Sequence, residues 1–149
     1  LPDDVIALMV QRGMTLTPTI AVYEALAEQR GRGAEWRRAT LPVMYDNVRR
    51  FVAAGGVLVL GDDFGGVPNM PIGMPMDELR HWQALGLTPE QIIVAATRGG
   101  ALASGIADEV GTVEPGKLAD LLVVEGDPRE DLEALARPVL VLRGGRPVE

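Results

Sequence analysis

The sequence predicts an α/β protein, with helices alternating with strands of a parallel sheet before a mostly β tail. Three observations predict it. Val57-Leu58-Val59-Leu60 is an apolar run bounded by Gly55-Gly56 and Gly61, the pattern of a strand buried on both faces. A helical stripe runs directly into that strand, and another helix–strand pair precedes it, with the short connections of a parallel sheet. Beyond about Ile106 the apolar segments become short and turn-bounded, as β structure requires.

Each element has its own signals. Pro2, Asp3 and Asp4 open a helix over Val5, Ile6, Leu8 and Met9, and Gly13 stops it. Residues 14–20 read as a strand, ended by Pro18, which has no N–H for a ladder. A short helix over 21–29 and a loop over 30–33 follow. Thr40 is placed to cap a helix reaching Ala54, with Met44, Val48, Phe51 and Val52 on one stripe. The strand over 57–60 comes next. Residues 64–75 form a loop rich in Gly, Pro and Met, long enough to suggest function. Residues 76–85 read as a helix with Leu79, Trp82 and Leu85 on one side. Thr88-Pro89-Glu90-Gln91 matches a capping box, opening a helix to about Arg98, and 101–105 adds a turn. The tail carries a turn at 114–117, a strand over 119–124 and a helical turn over 131–136. It ends in a hairpin around Gly144-Gly145.

Composition narrows the functions. The chain has 149 residues and a net charge of −7, and no Lys/Arg cluster with interleaved aromatics, which argues against nucleic acid. Arg37-Arg38 and Arg49-Arg50 read as solvated helix faces. No apolar run approaches a membrane span. There is no cysteine and one histidine, His81, a poor stock for a catalytic zinc site with three protein ligands. His81 itself reads as a surface or packing residue.

The chemistry concentrates at Gly61-Asp62-Asp63. Ligands bind where parallel strands run out, and burying an unpaired carboxylate costs several kcal/mol, on the order of magnitude usual for ions. One of the two aspartates is therefore the first candidate for chemistry. The alternative is a solvated Asp-rich turn or a helix cap. On an extended backbone the two point to opposite faces and cannot work as a dyad. No nucleophile elbow or phosphate loop is present.

These segments together resemble one family. Gly61-Asp62-Asp63-Phe64-Gly65 resembles the end of the eighth barrel strand in the amidohydrolase superfamily, usually Gly-Thr-Asp. Leu87-Thr88-Pro89-Glu90 through Ala95-Ala96-Thr97 resembles its following helix. Gly111-Thr112-Val113-Glu114-Pro115-Gly116-Lys117-Leu118-Ala119-Asp120-Leu121-Leu122-Val123-Val124, then Gly126-Asp127-Pro128, is similar to its "G.i.pGk.ADlvvldgdP" block, a structural segment. Gly145-Arg146-Pro147-Val148 resembles its closing hairpin. Pro18-Thr19 resembles the seventh-strand end of the imidazolonepropionase- and prolidase-like branch.

The resemblance implies a (β/α)8 TIM barrel with a small β-sandwich built from both chain ends. Residues 1–105 would be the C-terminal part of the barrel, with its seventh and eighth strands, and 106–149 the C-terminal segment of the sandwich. It implies a divalent metal, zinc in expectation, one or two ions in the complete enzyme. The metal would be held by a His-x-His after strand 1, a strand-4 Lys or Glu, histidines after strands 5 and 6, and the strand-8 Asp. By position that Asp is Asp63, metal ligand and proton acceptor. Asp62 stands where Thr is usual, and which of the two faces the barrel mouth stays open. Thr19 and Phe64 would touch substrate.

No His-x-His occurs here, and a barrel takes ~250 residues. The chain, beginning at Leu1, reads as a segment of a longer enzyme that hydrolyses C–N bonds of a small amide or dipeptide through a metal-activated water. As an isolated chain it is expected to hold no metal and to be inactive. The alternatives are a non-catalytic module that oligomerises or binds a partner, and the C-terminal half of a split enzyme. The expected partners are the missing N-terminal half of the barrel or a second copy, with a cytoplasmic location favoured.

Overall fold

A computed structural model describes residues 1–67, 70 and 72–148. The chain forms two compact units, Leu1–Leu87 and Thr88–Glu149. Part of the expected 64–75 loop, residues 68, 69 and 71, lies outside the described residues.

The first unit runs α1 (Asp3–Gln11), β1 (Thr15–Leu16), α2 (Ile20–Gln29), α3 (Gly33–Ala39), α4 (Leu41–Ala53), β2 (Val57–Leu58) and α5 (Met76–Ala84). β1 and β2 pair in parallel, Thr15 opposite Val57 and Leu16 opposite Leu58. One further bond runs from Val59 N–H to Leu16 C=O at 3.0 Å. The next rung of this register needs an N–H from position 18, and Pro18 has none. Both strands are therefore shorter than the residues 14–20 and 57–60 expected. Burial along 57–60 is also less than expected. Leu58 and Val59 are buried, but Val57, at the start of the strand, is 38% exposed.

The helices supply the core. Val48 and Phe51 of the α4 stripe are buried, as are Ile6, Ile20, Leu79, Trp82 and Leu85. Gly56 is a glycine because the Phe51 ring occupies the place a Cβ would take. α3 falls where the sequence showed no signal. Thr40, the expected cap, joins α3 to α4 in helical geometry and makes no capping bond. The arginine pairs are not simply solvated. Arg37 donates to Glu24 and Glu28 of α2 at 2.7 and 2.6 Å, and Arg49 donates to Leu85 C=O at 2.7 Å.

The second unit opens with α6 (Pro89–Val94). Its capping box is formed in both directions between Thr88 and Gln91. The helix then widens into a π turn (Ala95–Gly99) and closes with α7 (Gly100–Ala103). Gly111 lies against that turn with φ +93. A Cβ there would meet Ala101 Cβ at 2.6 Å, so only glycine fits. β3 (Leu121–Val124), β4 (Pro138–Arg143) and β5 (Arg146–Pro147) form an antiparallel sheet, with a 3₁₀ turn (Leu132–Ala136) between β3 and β4. Gly144 and Gly145 turn the last hairpin with φ +55 and +78, the left-handed pair a two-residue turn demands. Asp120 Oδ1 accepts from Gly144 N–H at 2.6 Å. That bond gives the Ala119-Asp120-Leu121 block its aspartate: it pins the hairpin.

Candidate active site at the strand ends

The parallel pairing of β1 and β2 brings two chain segments out side by side, 17–19 and 59–63. They stay close beyond the ladder: a Cβ on Gly61 would lie 2.8 Å from Thr17 Cγ2. Each segment then turns on a left-handed residue. Thr19 has φ +50 and Asp63 φ +53, and they are the only non-glycine residues with positive φ among those described. For β-branched Thr that conformation is an outlier, and such strain clusters at functional sites.

This geometry corrects the picture of Asp62 and Asp63 as neighbours on an extended strand. The strand ends before them. Asp62 Oδ1 accepts from Phe64 N–H at 3.2 Å, an Asx turn of the kind aspartate favours, and the turn puts Asp63 in the left-handed region. Asp62 is half-buried and Asp63 exposed. The Asp63 carboxylate takes no hydrogen bond or ion pair among the described residues. Thr19 is half-buried at the start of α2, and its side chain makes no capping bond. Phe64 is 41% exposed.

Glu78 is not among the candidates read from residue order. It is fully buried on α5. Its Oε2 accepts from Ala21 N–H and its Oε1 from the Trp82 indole N–H, each at 2.8 Å. Burial pushes its carboxyl pKa up; bonds from Ala21, Trp82 and Ile20 oppose this, and the Asp62 charge adds to it. A cavity of about 220 Å³ lies here, lined by Asp62, Met74, Met76, Glu78 and Arg80 among others. The one available signal was a carboxylate four residues before a tryptophan on the apolar stripe.

His81 is a packing histidine. Nδ1 lies 2.9 Å from Tyr45 Oη and Nε2 lies 2.9 Å from Glu24 Oε2, with its side chain 12% exposed. It joins α5 to α4 and α2.

As to a metal, the donor set fits only in part. Asp63 presents an open carboxylate at the strand end, yet among the described residues no three of His, Asp and Glu converge.

The amidohydrolase family model matches residues 1–148, and the chain belongs to that family. It is 35% identical over 81 residues to imidazolonepropionase of Porphyromonas gingivalis, covering 54% of this chain and 19% of that protein. It is 31% identical to an uncharacterised protein of Mycobacterium tuberculosis, across 98% of this chain and 40% of the relative. The crystal structure of a Xaa-Pro dipeptidase with bound methionine in the active site superimposes with a TM-score of 0.81. It is 29% identical over 98% of this chain and 37% of that one. A. niger ochratoxinase superimposes at 0.78 with 25% identity, over 99% of this chain and 34% of that one. The chain thus spans less than half the length of the relatives it matches and corresponds to the C-terminal portion of a larger fold.

Proposed function

We propose that this chain contributes Asp63 to the metal site of a hydrolase that cleaves C–N bonds in a small amide or dipeptide. One observation carries the reading. An open carboxylate, set in a left-handed turn, stands at the end of a parallel strand in a chain that matches the amidohydrolase family from end to end. The names of imidazolonepropionase and Xaa-Pro dipeptidase favour a cyclic amide or dipeptide bond.

Family members generally use a divalent metal. Such an ion, zinc in this proposal, polarises the scissile carbonyl and lowers the pKa of the attacking water. Asp63, its carboxylate open at the strand end, would be a ligand to that ion and would accept the attacking water's proton. The Asp62 turn holds Asp63 in that orientation without itself reaching the substrate. Thr19 and Phe64 flank the approach, Thr19 with a hydroxyl and Phe64 with an exposed ring. The remaining ligands belong to barrel strands outside this chain, and the uncovered edges of β1 and β2 suit pairing with those strands.

The test is Asp63→Asn in a protein that supplies the remaining barrel strands, assayed on an Xaa-Pro dipeptide and on a cyclic amide. Turnover should be abolished. Near-normal turnover would overturn the role assigned to Asp63.

A further inference from the structure

We infer that Glu78 is a positioning residue for this site, holding Thr19 at the end of β1 against the helix that follows Asp63. The inference rests on the hydrolase reading above, because Thr19 matters only if substrate lies at the strand ends.

Thr19 occupies a conformation its β-branched side chain disfavours, and something must hold it there. Its own hydroxyl does not bond the amides of α2. Those amides are deeply placed, Ile20 at 0% and Ala21 at 7% exposure, so an acceptor has to come from elsewhere in the fold. Glu78 supplies it from α5, across 57 residues of sequence, at 2.8 Å from Ala21 N. Its other oxygen is held by the Trp82 indole at 2.8 Å, so the carboxylate has no slack. α5 begins at Met76, just after the segment that Asp63 opens. One buried carboxylate therefore ties together the elements that follow the two strand ends. Shape alone does not explain it. Glutamine would turn an N–H₂ toward one of two N–H donors, and aspartate is one methylene too short.

Three measurements test this. In the unaltered chain, the Ile20 and Ala21 amides should exchange with solvent far more slowly than those of Asp3 and Asp4 in the exposed first turn of α1. Equal exchange overturns the tie and needs no variant to fold. In Glu78→Gln, the Thr19 methyl resonance should shift while those of Thr88 and Thr97 stay; an unmoved Thr19 also overturns it. In the assembled hydrolase, Glu78→Gln should raise KM roughly tenfold with a much smaller change in kcat. Unchanged KM in an enzyme that Asp63→Asn inactivates overturns the positioning role and leaves the hydrolase reading standing. If Asp63→Asn leaves turnover intact, the role of Asp63 and with it the placing of substrate at these strand ends fall, and this inference falls with them.

Discussion

Asp63 and Glu78 are carboxylates of opposite kinds. Asp63 is exposed and unpartnered among the described residues, so its charge is available for a ligand. Glu78 is fully buried and occupied by N–H donors. Its raised pKa has a consequence for stability. The folded chain holds the Glu78 proton more tightly than the unfolded chain does. The resulting stabilisation is therefore fully present below the ordinary value of 4.5 and is lost as pH rises through the raised folded value. Glu78→Gln removes this titration. The melting temperature of the native chain minus that of Glu78→Gln should fall as pH rises from about 4 through this window. A difference that stays flat, or rises, would contradict the burial assigned to this group.

At the scale of elements, two local devices have measurable worth. The Thr88–Gln91 box closes both ways at the start of α6. Thr88→Ala should cost about 1 kcal/mol, read as a lower urea midpoint with an unchanged slope. Gly56→Ala drives a methyl into the Phe51 ring and should cost about 1–3 kcal/mol by overpacking, read the same way. Both positions were legible in the sequence, the first as a spacing of residue types and the second as the di-glycine closing a helix. α3 was not legible, because Gly33 starts it and its stripe is too short to stand out. The π turn at Ala95–Gly99 was not legible either: the residues that form it read as ordinary helix.

At the scale of the whole molecule, a two-stranded parallel sheet is an incomplete layer. Such sheets are stable when both faces are covered, yet Val57 of β2 remains exposed here. The proposed remedy is the set of strands that the longer relatives carry. The isolated chain should then bind well below one equivalent of zinc after dialysis, by elemental analysis. The chain assembled with the remaining strands should bind at least one, and Asp63→Asn should lower that figure. Stoichiometric zinc on the isolated chain would refute the one-ligand reading, since no three donors converge among the described residues.

The α/β class, the hairpin tail and the family were all readable from residue order. Each rests on near-neighbour chemistry: apolar periodicity, a capping box, glycines at turns, an aspartate block. The conformation of Asp62 and Asp63 was decided only by tertiary structure. Their turn begins where Pro18, on the neighbouring strand, cannot supply the next rung. Glu78 was hidden for the same reason. Its partner amide lies 57 residues away in the chain, and nothing in the order of residues marks which buried amide a distant carboxylate will meet.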